Sequence, residues 1–178
     1  MALSATIYNV EIELADADRE VYESLELRAA RHPSESEEYF VTRVLAYALE
    51  YGEGIAFSRG ISDPDEPAIT IRDLTGAITA WIEVGAPDAA RLHKASKAAA
   101  RVAVYTHKDP QQLLRSLAGE KIHRAESVEL YAVDRGLVRN LAARLARRMT
   151  FSMSVAGQTI YVSIDAETLS GSITRLPL

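Results

Sequence analysis

Two kinds of hydrophobic pattern follow one another along this 178-residue chain, and their order limits the folds that it can adopt. Apolar and polar residues alternate in "SATIYNVEIEL" and "VYESLELRAARH" near the start, and again in the tail after residue 149. These alternations predict an N-terminal antiparallel hairpin and a C-terminal β-meander. The middle predicts the order helix–strand–strand–strand–helix–strand. We therefore expect an α/β (α+β) fold with a central mixed β-sheet flanked by helices, in a single domain over residues 1–178.

The two helices in the middle have recognisable start signals. Ser34 and Glu37 have the spacing of a capping box, and apolar residues recur at helical spacing between Val41 and Leu49. Pro87 lies near the start of the second helix, which is a favoured position for proline. The strand "AITAWIEV" directly precedes this second helix, so the helix N-terminus is expected near the end of that strand.

The composition excludes several kinds of site. The chain has no cysteine, which excludes disulfides, thiolate zinc sites and cysteine nucleophiles and fits a reducing compartment. The N-terminal residues lack a basic leader followed by an apolar core, so we expect no signal peptide and a cytoplasmic location. No apolar run approaches the roughly 20 residues needed to span a bilayer, so no membrane partner is expected.

The net charge of −5 means that any binding of nucleic acid needs a local basic patch. One candidate is the stretch "RGLVRNLAARLARRM", which predicts an amphipathic helix. Its stripe of leucines is Leu137, Leu141 and Leu145, and its arginines are Arg135, Arg139, Arg144, Arg147 and Arg148. These arginines would contact phosphates, or they simply form the solvated face of the helix.

Glu83 lies inside the apolar strand "AITAWIEV" and is the charge that most needs an explanation. A buried carboxylate costs several kcal/mol unless a partner compensates it. An ordinary salt bridge is one answer. The other is a ligand site, because open α/β sheets bind ligands beyond the carboxyl ends of their strands.

Two further acids, Asp65 and Glu66, are expected close to Glu83. If Thr75-Gly76 forms a two-residue hairpin loop, Ala68 falls opposite Glu83 and the two acids lie just beyond. Clustered carboxylates repel unless a proton or a cation lies between them, and hard oxygen ligands suit Mg²⁺ or Mn²⁺. The alternative is that both acids are only turn residues.

The helix after Glu83 carries a stripe of basic residues, including Arg91, Lys94 and Lys97. Arg91 and Lys97 are candidate phosphate-binding residues, and a long lysine at position 94 would point back to the strand end. A solvated helix face is the alternative. On the first helix, Glu38 lies at the edge of the core face and would serve as a supporting acid, or it simply flanks the helix start.

Three acids and a lysine on this order of elements resemble the core of the PD-(D/E)XK, or restriction-endonuclease-like, superfamily. More narrowly, the chain resembles the YaeQ family over nearly its whole length, in stretches such as "DEP", "DLTG" and "VAVYTH"; "ARHPSE" and "WIEVGAPD" are the most specific. The resemblance implies a nuclease-like core over about residues 34–107. It also implies that Asp65, or Glu66, and Glu83 hold the metal, with Glu38 in support.

One position departs from the superfamily pattern, which places a lysine two residues after the second acid. That position is Gly85 in this chain, so the resemblance makes Lys94 the displaced lysine. The function implied is an Mg²⁺- or Mn²⁺-dependent phosphodiesterase acting on DNA or RNA, in which Lys94 positions the attacking water. The alternative is a nuclease-like fold without catalysis that serves as a binding or regulatory protein, for example in transcription.

Overall fold

The computed structural model describes residues 4–58 and 65–178, which form a mixed α/β fold. The strands described are β1 (Thr6–Asp16), β2 (Val21–Arg31), β3 (Ile55–Phe57), β4 (Ile69–Arg72), β5 (Ile78–Val84), β6 (Arg101–Thr106), β7 (Glu129–Val133), β8 (Arg148–Ala156), β9 (Thr159–Ile164) and β10 (Glu167–Leu176). The helices described are α1 (Glu37–Leu49), α2 (Ala89–Ala98), α3 (Pro110–Leu117) and α4 (Arg135–Ala142). In the described ranges, no helix has the length and apolarity to cross a bilayer.

The chain divides into two compact units. The first unit contains the residues up to Val41 together with Val133–Thr174, and the second contains Thr42–Ala132 with Arg175–Leu178. The single domain over residues 1–178 stays a prediction.

The first unit contains the two predicted antiparallel segments. Strands β1 and β2 form a hairpin in which Thr6 pairs with Arg31 and Asp16 pairs with Val21. Strands β8, β9 and β10 form the C-terminal meander. Both predictions are confirmed, but β1 also pairs in parallel with β8, which the sequence did not indicate.

The second unit contains a mixed sheet. Strands β3, β4 and β5 pair antiparallel, whereas β5, β6 and β7 pair in parallel. Helices α2 and α3 bury apolar side chains on one face of this sheet; the largest are Trp81, Leu92, Leu113, Leu117 and Leu130. The predicted mixed sheet is confirmed, and the elements α1–β3–β4–β5–α2–β6 follow in the predicted order.

The β4–β5 hairpin has the predicted register with a different loop. Ile69 pairs with Ile82, and the same register extended by one residue places Ala68 opposite Glu83, as predicted. The loop has three residues, Leu74 to Gly76, instead of the two predicted. It is closed by a hydrogen bond from the Asp73 N–H to the Ala77 carbonyl. A register shift between Ile71 and Arg72 compensates for the extra loop residue.

The capping box predicted at Ser34 and Glu37 is wrong, because α1 begins at Glu37 itself. The Ser36 hydroxyl caps the helix by accepting a hydrogen bond from the Tyr39 N–H at 3.0 Å. Ser34 instead contacts the His32 ring, at 2.8 Å from its hydroxyl to Nδ1. The sequence contains two serines at the helix entrance, and the capping-box spacing favoured the one too far from the first turn.

Replacing Ser36 by alanine is expected to lower the free energy of unfolding by about 1 kcal/mol, because the Tyr39 N–H loses its acceptor. Urea denaturation followed by circular dichroism would measure the change. Ser34→Ala is the matched control and should change stability by less than about 0.5 kcal/mol. An equal loss in both variants would mean that Ser36 is not the cap.

The prediction of one long C-terminal amphipathic helix is also wrong, because α4 ends at Ala142. Leu145 lies beyond the helix, and Arg148 is already the first residue of β8. In β8 the side chains of Met149, Phe151, Met153 and Val155 are buried in alternation, which fixes the segment as a strand. The five arginines therefore do not share one helix face; within α4 lie Arg135 and Arg139.

Candidate functional site

Glu83 is buried near the carboxyl end of β5, with 4% of its surface exposed. The Trp81 indole N–H donates to its Oε1 at 2.6 Å, and the Arg91 Nε donates to the same oxygen at 2.7 Å. Trp81 and Glu83 lie on one face of the strand because they are two residues apart. An ion pair and an indole hydrogen bond therefore compensate the charge that the sequence left unexplained.

The pKa of Glu83 reflects the competition between burial and these partners. Burial raises the pKa above its usual value near 4.5, because it disfavours the charged carboxylate. The Trp81 hydrogen bond and the charge and hydrogen bond of Arg91 oppose that rise in part. Removal of either partner should therefore push this pKa higher.

Arg91 reaches Glu83 because of the way in which α2 begins. Asp88 caps the helix, accepting a hydrogen bond from the Arg91 backbone N–H at 2.8 Å. Arg91 therefore lies in the first turn, next to the end of β5. Its Nη2 also donates to the Glu66 carbonyl at 2.7 Å, so one guanidinium links β5 to the segment that precedes β4.

Lys94 lies one turn further along α2 and forms an ion pair with Asp65. Both side chains are exposed, at 53% for Lys94 and 71% for Asp65. Through α2, the structure gathers the acid segment at 65–66, Glu83, Arg91 and Lys94 at one end of β5. Lys97 lies a further turn along the helix and is exposed.

Glu38 lies in a different compact unit from this group. It is exposed in the first turn of α1 and belongs to the first compact unit, whereas the acids and cations above belong to the second. The sequence prediction placed Glu38 at the edge of the core face. Its role as a supporting acid stays a prediction.

Gly85 lies at the position where the resemblance to the PD-(D/E)XK superfamily led us to expect a lysine. Its φ is +93°, in the left-handed region that side-chain-bearing residues rarely adopt. Its N–H donates to the Tyr105 carbonyl at 2.9 Å, which fixes the chain where it leaves β5. A lysine at this position would be strained.

The donor set at the end of β5 suits a hard cation in its chemistry. Among residues 4–58 and 65–178, no three histidine or acidic side chains gather in a metal-holding group. Magnesium, however, is usually bound by one or two carboxylates together with substrate phosphates. Asp65 and Glu83 supply carboxylate oxygens, and both hydrogen bonds described for Glu83 end on Oε1. These residues fit a Mg²⁺ or Mn²⁺ ion in ligand type.

A second charged cluster in the same unit was missed by the sequence analysis. Arg101 donates to Glu50 through Nη1 and Nη2, at 2.6 and 2.9 Å, and to Glu129 through Nε and Nη2, at 2.6 and 3.1 Å. The Tyr105 hydroxyl donates to Glu50 at 2.5 Å, and the Tyr131 hydroxyl donates to Glu129 at 2.6 Å. Each carboxylate thus has two donors, and the cluster is a structural one.

The pKa shifts in this cluster follow from its hydrogen bonds. The hydrogen bonds to Glu50 outweigh burial and, with those to Glu129, raise the pKa of Arg101. Burial raises the pKa of Tyr105 well above its usual value, and the neighbouring Glu50 carboxylate adds to the rise. A sequence signal was available, since Glu50 follows the C-terminus of α1, where the helix dipole disfavours an acid.

Comparisons with known proteins identify the family. The family model described as YaeQ protein matches residues 1–173. The chain is 33% identical over 175 residues to "Uncharacterized protein YaeQ" of Escherichia coli (strain K12), covering 98% of this chain and 97% of that protein. The Salmonella typhi protein of the same name is 32% identical over 175 residues, with the same coverage.

Two solved structures share the fold. The crystal structure of YaeQ protein from Pseudomonas syringae has a TM-score of 0.88 at 34% identity and covers 98% of this chain and 97% of that chain. The YaeQ protein from Xanthomonas axonopodis pv. citri also has a TM-score of 0.88, at 28% identity, covering 98% of this chain and 99% of that chain. The resemblance to the YaeQ family is confirmed: the chain belongs to that family.

Proposed function

We propose that this chain is a divalent-cation-dependent phosphodiesterase that acts on nucleic acid, with its centre at Asp65, Glu83 and Lys94. The observation that supports it is the gathering of acids and cations where β5 ends and α2 begins. The Arg91 guanidinium contacts both Glu83 and the Glu66 carbonyl, and Lys94 pairs with Asp65. This edge, beyond the carboxyl ends of parallel strands, is where α/β sheets bind ligands.

In this proposal Asp65 and Glu83 would hold Mg²⁺ or Mn²⁺. When bound, such an ion polarises a phosphoryl oxygen and lowers the pKa of a bound water. Arg91 fixes the orientation of the Glu83 carboxylate through its hydrogen bond to Oε1. Lys94 is exposed and long, and on release from Asp65 it stabilises negative charge on the phosphate or orients the water.

The finer assignment to the PD-(D/E)XK superfamily belongs to this proposal. The order α1–β3–β4–β5–α2–β6 supports a nuclease-like core over about residues 34–107. Because a lysine at position 85 would be strained, Lys94 on α2 would supply the lysine of the pattern. We also carry forward Glu38 as a supporting acid and Lys97 as a phosphate contact. The absence of cysteine supports action in the cytoplasm.

Cleavage assays with single- and double-stranded DNA and RNA, in Mg²⁺ and in Mn²⁺, test the proposal. We expect metal-dependent cleavage by the wild-type protein, and a loss of more than about 100-fold in Glu83→Gln and in Asp65→Asn. Glu23→Gln is the matched control, because it neutralises an exposed acid on β2. Equal cleavage by the wild type and Glu83→Gln would contradict the proposal, as would no wild-type cleavage in any combination.

A second candidate is a protein of this fold that binds nucleic acid without cleaving it. The observation in its favour is charge balance: Arg91 already pairs with Glu83, and Lys94 already pairs with Asp65. Asp65 and Glu83 are each neutralised by a cation of the chain before any metal ion enters. Calorimetry with Mn²⁺ separates the two candidates, since the phosphodiesterase requires Glu83-dependent metal binding and the binding protein requires none.

A further inference from the structure

A compact basic surface lies on the C-terminal half of α2 and the loop that precedes β7. We call it the α2 basic surface and define it by Lys97, Lys121, His93 and His123. Lys97, Lys121 and His123 are exposed, and His93 is half-buried beside them. In a chain with a net charge of −5, a local concentration of positive charge is what nucleic-acid binding requires.

Hydrogen bonds hold the loop against the helix. The His123 N–H donates to His93 Nδ1 at 3.0 Å, and the Ser96 hydroxyl donates to the His123 carbonyl at 2.5 Å. The Arg124 Nη2 donates to the carbonyls of Ser96 and Ala99, at 2.6 and 3.1 Å. These contacts fix the loop backbone, so the positions from which the basic side chains extend are set before any partner binds.

The electrostatics agree with this arrangement. Burial holds the pKa of His93 below its usual value, and the positive charges of Lys97 and Lys121 lower it further. Among the described residues, the charged neighbours that act on His93 are therefore cations. His93 Nδ1 accepts the His123 N–H, so this nitrogen is an acceptor, and the positive charge of the surface comes from Lys97 and Lys121.

The surface is continuous with the proposed centre along α2. Lys97 lies one turn beyond Lys94, which pairs with Asp65, and three residues advance about 4.5 Å along a helix. A polyanion that lies on Lys97 and Lys121 therefore leads along the helix towards Lys94. The arginines between Arg135 and Arg148, which the sequence predicted as a basic patch, do not form a continuous basic surface along one helix, because they do not share one helix.

We propose that the α2 basic surface binds the phosphodiester backbone of the nucleic-acid strand that enters the centre at Asp65, Glu83 and Lys94. This inference rests on the proposed function for its choice of partner. Lys97 and Lys121 contact backbone phosphates, and His123 offers its ring face for stacking on a base or its N–H to a phosphate oxygen. Binding through the backbone predicts little preference for sequence.

Fluorescence anisotropy with labelled 20-residue single strands of DNA and RNA, in EDTA, tests the surface without any metal. We expect the wild-type protein to bind with a salt-dependent Kd. The double variant Lys97→Glu, Lys121→Glu should weaken binding by at least about tenfold and reduce the slope of log K against log salt by about 1.4, for two single-strand phosphates at about 0.7 each. Circular dichroism confirms that the variant is folded.

The matched control is Arg135→Glu with Arg139→Glu, which makes the same change in net charge at exposed positions of α4. It should keep wild-type affinity within about twofold. The proposal would be overturned if the two double variants weakened binding equally, or if the wild-type protein did not bind. It would also be overturned if polyglutamate displaced the labelled strand as effectively as unlabelled strand does. Since the assay contains no metal, it measures binding alone, so a failure of catalysis leaves this test intact.

Discussion

Replacing Arg101 by methionine is expected to lower the free energy of unfolding by about 3 kcal/mol. This value is at the lower end of the loss of about 3–5 kcal/mol that follows when one partner of a buried ion pair is removed. The variant leaves the Glu50 carboxylate buried with the Tyr105 hydroxyl as its described donor, and Glu129 with Tyr131 and Arg175. We choose the lower end because the Arg101 side chain is 37% exposed, so solvent screens part of the interaction. Chemical denaturation at pH 7 measures the change.

Two control variants make this expectation specific. Arg175 lies at the outer end of the cluster, 48% exposed and 3.7 Å from Glu129, so Arg175→Met should cost less than about 1 kcal/mol. Arg101→Lys keeps the charge but loses the paired hydrogen bonds to each carboxylate, so its loss should be intermediate. A loss in Arg101→Met no larger than that in Arg175→Met would show that the cluster does not stabilise the fold.

Replacing Arg91 by methionine is expected to cost about 3 kcal/mol at pH 8, because Glu83 loses its cation while it remains buried. The effect depends on pH in a direction that follows from the raised pKa of Glu83. Below about pH 4.5 the carboxyl is protonated in both the folded and the unfolded protein, so the penalty disappears. As the pH rises above 4.5, Glu83 loses its proton first in the unfolded protein, because its pKa is higher in the folded protein. The loss of stability caused by Arg91→Met therefore grows with pH.

Stability curves for the wild type and Arg91→Met between pH 4 and pH 8 test this expectation. The gap between the two proteins should widen as pH rises. The matched control combines Arg91→Met with Glu83→Gln: this double variant should recover part of the lost stability and show a gap that no longer changes with pH. A gap that is constant with pH in the single variant would mean that Arg91 stabilises the protein through packing rather than through the charge of Glu83.

The alternation of apolar and polar residues predicted the strands that each bury one face. The alternation of β1 and β2 and of the tail gave the hairpin and the meander, because each strand buries one face. The end of α4 was missed because "LARRM" extends the helical spacing of leucines without a glycine or proline to stop it. The burial of Phe151 and Met153 in β8 decided the matter, and burial is a tertiary property.

The sequence predicted which residues lie at the candidate site, but not which of them form ion pairs with one another. The hairpin register brought Ala68 opposite Glu83, and helical spacing placed Arg91 and Lys94 on α2. Nothing in the sequence specified which residue would pair with Glu83. That choice depends on the Asp88 cap, which puts Arg91 in the first turn. The Arg101 cluster was missed because Glu50 and Glu129 are 51 and 28 residues from Arg101.

The parallel pairing of β1 with β8 has a consequence for synthesis in the cell. Glu11 and Thr150, which pair across these strands, are 139 residues apart. At about 5–20 residues per second, roughly 7–28 s separate the emergence of β1 from that of its partner. During that interval one edge of β1 has no strand beside it, and such edges recruit other chains. We therefore expect a nascent chain stalled before residue 148 to bind chaperones, whereas β8 covers this edge in the completed chain.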